Sequence, residues 1–154
     1  FRCVLDARKF TEMAVIQFVL QNSVTLSEYA FGEKYAKNPA ERFVFAHLVA
    51  DKARHVAYGI SHLKYVLLHR HDRREEVQRY LDKGEAKLQQ EDRKDNAKKA
   101  AIALYFGGGT DNAAAGIDAY NAMRRHFVTR YLDRLKWATL ERGDRLHPGL
   151  RAFI

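Results

Sequence analysis

The stretch Leu48 to Ile60, "LVADKARHVAYGI", decides how this chain is read. On a helical wheel, where each residue advances by about 100 degrees, Phe45, Val49, Val56, Ile60, Leu63 and Leu67 fall together. Leu48, Gly59 and Val66 lie beside them, and Asp51, Arg54 and Tyr65 point away. This is one face of an amphipathic helix, yet Lys52 falls inside the apolar arc. His55 sits at its edge, and His62 and His69 continue that side at heptad spacing. An unpaired ammonium on a buried face is costly, so Lys52 either extends its head to water along its stem or meets a carboxylate.

Working outward, "AKNPAE" before this helix carries a complete start signal: Asn38 to cap, Pro39 at the first position and Glu41 where a capping box places an acid. The helix is expected to reach about Arg70, roughly 48 Å at ~1.5 Å per residue. Upstream, nothing breaks a helix from about Val4 to Lys37. Residues 1–70 therefore read as a long antiparallel helix hairpin. Downstream, Asp72 as cap and Glu75 open a charged helix toward Gln90 or beyond, and a break follows around Asp92 to Asn96. "AKKAAIALYF" is a short helix stopped by "GGGT". Thr110 or Asp111 then caps a last long helix to about Arg142, with Gly143 past its end. The tail from Asp144 reads as extended or loosely turned, packing Leu146, Leu150 and Phe153. The triple glycine could cradle a phosphate, but it follows a helix and lacks the P-loop lysine spacing, so a helix stop is the better reading.

With 154 residues, 47% hydrophobic, two prolines and no sustained alternation, the expected architecture is a single all-α domain. One cysteine, Cys3, excludes an internal disulfide framework, and a reducing cytoplasm is the simplest home for such a chain. The most apolar segment, Met13 to Leu26, is interrupted by Gln17, Gln21, Asn22 and Ser23, which argues against a membrane span. The net charge of +8 is concentrated in residues 124–151. No nucleic-acid motif accompanies it, so an acidic protein partner is the better expectation than nucleic acid.

The first helix is apolar nearly all round, yet Gln17, Gln21, Thr25 and Glu28 line one side at spacings of four, four and three. A polar line on a covered helix needs partners, either its neighbours or a ligand. "DKARHVAYG" resembles the last Glu-x-x-His element of the ferritin-like di-iron carboxylate superfamily, commonly Asp-Glu-x-Arg-His: Asp51, Arg54 and His55 match, and Lys52 stands at the metal-binding glutamate. "FVLQNSVT" is similar to the Phe-x-x-Glu-x-x-x-Thr of the monooxygenase and oxidase branch, with Phe18 and Thr25 matching and Gln21 at the glutamate.

The resemblance covers residues 10–69 and implies a ferritin-like helical bundle: two long antiparallel helices plus additional C-terminal helices. It further implies that this chain is the C-terminal part of such a domain, and that it has oxidoreductase chemistry with iron or manganese. His55 is then the remaining metal ligand, and Asp51, Thr25, Glu28 and Gln17 surround the altered positions. Replacing two glutamates by Gln21 and Lys52 removes two negative charges and adds a positive one. That argues for an atypical centre holding one metal, or none if the Lys52 ammonium stands in for it. Such a replacement resembles the metal-free class of ribonucleotide reductase radical subunits, and Tyr29, Tyr58 and Tyr65 are the tyrosines nearby. Two other readings stay open: a non-catalytic scaffold of the same fold, and a basic helical interaction module. A homodimer, or helices preceding Phe1, would complete the bundle.

Overall fold

A computed structural model describes residues 2–154, with side chains from Val4 onward, and all its regular elements are helical. A short helix α1 (Arg2–Leu5) precedes α2 (Phe10–Met13). A π-helical segment (Ala14–Gln21) then continues without interruption into α3 (Asn22–Lys34). The helix expected to run unbroken from Val4 thus breaks at residues 6–9. Lys9 is extended, and the Glu12 carboxylate reaches back to accept from the Arg8 N–H at 3.1 Å, starting a new helix.

The π segment shows itself in the Asn22 N–H, which donates to the Gln17 carbonyl five residues back. Room for its wide turns comes from two glycines on distant helices. A Cβ on Gly59 would lie 2.6 Å from Phe18 Cβ, and one on Gly84 would lie 3.0 Å from Leu20 Cδ2.

The helix α4 (Pro39–His69) forms as its caps dictate: Asn38 Oδ1 accepts from the Glu41 N–H at 2.9 Å, and Glu41 Oε2 accepts from the Lys37 N–H at 2.8 Å. Its contacts pair Gly59 with Phe18 and Phe45 with Gly32, so the two rods run antiparallel, as the hairpin reading requires.

The remaining helices are α5 (Arg74–Lys94), α6 (Asn96–Gly107), α7 (Ala113–Trp137) and α8 (Pro148–Arg151). Three starts and stops differ from the expectation. Asp72 pairs with Arg70 at 3.2 Å inside a 3-10 turn instead of capping α5, and Asp95 caps α6 by accepting from the Lys98 N–H at 3.0 Å. Neither Thr110 nor Asp111 caps α7; both lie in a 3-10 turn after Gly108 and Gly109, whose φ values of 80° and 135° stop α6. The last long helix ends at Trp137, before Arg142, because Thr139 adopts φ 65°. The tail folds into a 3-10 turn and α8, burying Leu146 and Leu150.

The main core joins Val19 of the π segment, Leu63 and Leu67 of α4, Leu81 of α5, and Phe127 and Tyr131 of α7. A second cluster under α6 holds Phe106, Ala119 and Met123 against Phe31 and Tyr35. The structure is therefore an all-α bundle in which the π segment and α3 form the central rod. No helix of the described residues is long and apolar enough to cross a membrane.

Candidate functional site

Gln17, Gln21, Thr25 and Glu28 are all half-buried, tracing one line along the π segment and α3. Thr25 Oγ1 donates to the Gln21 carbonyl at 3.1 Å, and Glu28 pairs with Lys98 of α6 at 2.8 Å. Gln21 lines a cleft of about 100 Å³ against α5 and α6, with Glu28, Asp92 and Tyr120 in its walls. Asp92 is already engaged by the buried Arg124 at 2.5 Å. The Gln21 Oε1 is buried and has no hydrogen-bond partner among the described residues.

On α4, Asp51 pairs with Arg54 at 3.3 Å and lies 3.7 Å from His55 Nδ1. That Nδ1 is buried without a hydrogen bond among the described residues, and the ring sits 6.1 Å from the Phe18 ring. Lys52 is half-buried and, among the described residues, has no carboxylate within ion-pair distance. Of the three tyrosines near the motif, Tyr58 packs edge-on against Phe18 at 5.6 Å. Tyr65 stacks on His69 at 4.3 Å, and Tyr29 lies 6.3 Å from Phe45. The heptad histidine His62 meets Thr11 at 3.3 Å and Phe10 at 5.0 Å. Burial, and then the neighbouring Arg73, push its pKa below the ordinary value.

These positions can be tested against two carboxylate-bridged ions. The donors are one imidazole and one amide oxygen, with an ammonium in the place of a carboxylate. Among the described residues no three His, Cys, Asp or Glu side chains are placed together to hold a metal. The described residues by themselves do not fit a di-iron centre.

A second polar cluster was missed by the sequence reading. Glu85 is fully buried: its Oε1 accepts from Tyr131 Oη at 2.7 Å and Arg142 Nε at 2.9 Å, and its Oε2 accepts from Arg142 Nη2 at 3.1 Å and the His147 N–H at 3.0 Å. Arg142 also donates to Asp82 at 2.6 Å and to Gln78. Burial raises the Tyr131 pKa well above its ordinary value, with Glu85 adding to the effect. Every oxygen of Glu85 is occupied, which makes the cluster a clamp holding the tail to α5. Its signal was present in the spacing Val77, Leu81, Glu85, Leu88, which places a carboxylate on the apolar stripe of α5.

Comparison with protein-family models, curated proteins and solved structures returns no match.

Proposed function

We propose that this chain is a ferritin-like protein of the oxygenase and oxidase type, with an atypical site built around Gln21 and His55 in place of a di-iron centre. One observation carries this reading. Three buried side-chain polar atoms lack a hydrogen-bond partner among the described residues, and two of them are Gln21 Oε1 and His55 Nδ1. These are positions that the motif resemblance assigns to ligands. Buried polar groups are nearly always satisfied, so orphaned ones mark where an ion, water or another group belongs. The π segment that ends at Gln21 agrees with this, since π turns within helices are frequent at functional sites.

A single metal ion or a modified side chain is the chemistry these residues support, with His55 as the metal ligand and Asp51 3.7 Å from the same open Nδ1. Helices of another segment or of a second copy supply the missing donors. The test is iron and manganese content after anaerobic loading, read with intact mass in the wild type and in His55→Ala. About one metal per chain that is lost in the variant, or a mass shift on a side chain, supports the proposal. Absence of both refutes it.

The scaffold reading is favoured by a separate feature: Gln21 and Lys52 stand where the resemblance places two ligating glutamates. In that case the wild type binds neither metal and shows no modification, while Lys52→Glu leaves fold and assembly unchanged.

A further inference from the structure

Helices α4 and α7 both pack on α3 but scarcely on each other. Between them lies an open groove of about 370 Å³, floored by Leu26. The α4 wall carries small exposed residues one turn apart, Ala53, Ala57 and Ser61, with exposed Ala50 one turn before them on the same helix. The facing wall of α7 is Arg134 and Trp137, with exposed Arg130 one turn earlier. Lys64 closes one end, its Nζ 3.8 Å from the Trp137 ring centroid.

Arg134 is half-buried, and its one hydrogen bond among the described residues goes to Ser23 Oγ at 3.3 Å. No carboxylate of those residues pairs with it, and burial together with Arg130 lowers its pKa from the ordinary arginine value. A partly desolvated guanidinium without an anion is an unmet electrostatic demand. The exposed face of α4 continues past the groove to Leu68, which is 47% exposed, and Phe43, which is 65% exposed.

Small residues let helix axes approach to about 8–10 Å, so the small side chains of the α4 wall suit close packing by one more helix. From Ala50 to Leu68 the face runs about 27 Å at ~1.5 Å per residue, too long and open to enclose a small molecule. A second copy of this chain brings the same +8 charge.

We infer that the groove between α4 and α7 docks an acidic amphipathic helix of a partner polypeptide. Its apolar stripe lies over Ala53, Ala57 and Leu26, and carboxylates one turn apart meet Arg134 and Arg130. This inference stands apart from His55, which packs by Phe18 outside the groove, and from Gln21, which lines a separate cleft against α5 and α6.

The probe is a fluorescein-labelled helical peptide with an alanine and leucine stripe flanked by glutamates; a second peptide replaces every glutamate with lysine. Anisotropy titrations of the whole chain are expected to show binding of the acidic peptide alone, weakening as salt rises. Arg134→Glu and the groove-filling Ala57→Leu should each weaken it by about tenfold or more. Lys136→Glu, outside the groove, should change it less than about twofold. Circular dichroism confirms that each variant is folded, and Ala57→Leu, on an exposed helix position, decides the matter if Arg134→Glu is not. Absence of binding overturns the inference, as does equal weakening by Lys136→Glu and Arg134→Glu with Ala57→Leu silent. Self-association in sedimentation that Ala57→Leu abolishes overturns it too, because a second copy then fills the groove.

Discussion

Replacing Glu85 by alanine tests the clamp between α5 and the tail. The variant removes a fully buried carboxylate that accepts four hydrogen bonds, leaving the Arg142 side chain, itself 0% exposed, with Asp82 and Gln78. The Tyr131 hydroxyl and the His147 N–H lose their acceptor as well. Breaking a buried ion pair from one side costs about 3–5 kcal/mol. Because Asp82 at 2.6 Å still balances the guanidinium, the lower end applies, about 3 kcal/mol. For a domain of this size that corresponds to a fall in Tm of about 6–12 °C.

Urea unfolding followed by circular dichroism measures the loss, and Glu85→Leu combined with Arg142→Leu controls for it. Replacing both charges by apolar side chains should recover most of the stability, since the orphaned charge disappears with its partner. A Glu85→Ala protein within about 1 kcal/mol of wild type would refute the reasoning, because a clamp that is satisfied on every oxygen cannot be lost so cheaply.

Other consequences can be checked on the same instrument. Gly→Ala inside a helix normally stabilises by about 1 kcal/mol, but Gly59→Ala meets Phe18 and should instead destabilise by about 1–3 kcal/mol. Gly116→Ala, whose Cβ would fall on the Ala103 carbonyl oxygen, should cost more; stabilisation by either would contradict the helix crossings. Lys52→Met should stay within about 1 kcal/mol of wild type, since no ion pair is lost; a drop of about 3 kcal/mol would reveal a buried carboxylate partner.

Glu76 is held down to about 2, from an ordinary 4.5, by hydrogen bonds from Lys9, Tyr80 and Arg73. A carboxyl lowered in the folded state contributes stability that is present above pH 4.5 and is lost as pH falls toward about 2. Glu76→Gln should therefore flatten the acid limb of the stability curve in that window, and an unchanged limb would show that the ion pairs are screened.

What could be read in the sequence was local. The start of α4 was legible because Asn38, Pro39 and Glu41 contain their own capping chemistry, and the buried arc of α4 followed from spacing alone. The break before α2 was not, because Lys9 carries no capping side chain and the start depends on Glu12 reaching back. The π segment was illegible for a different reason: Gly59 and Gly84, far along the chain, make space for it. The end of α7 hinged on a left-handed Thr139, which residue type does not announce. At the candidate site, the polar line from Gln17 to Glu28 was visible as a spacing. Which of its members would lack a partner depended on where Lys98, Asp92 and Arg124 fell in space.

The proposed atypical centre at Gln21 and His55 is open to direct measurement. Elemental analysis of the full chain after anaerobic iron and manganese loading, paired with intact mass, tests it most directly. About one metal per chain that disappears in His55→Ala, or a side-chain mass shift in the unloaded protein, is the expected result. Two metals per chain would contradict it by restoring an ordinary di-iron centre, and neither metal nor modification would leave the helix pair a scaffold.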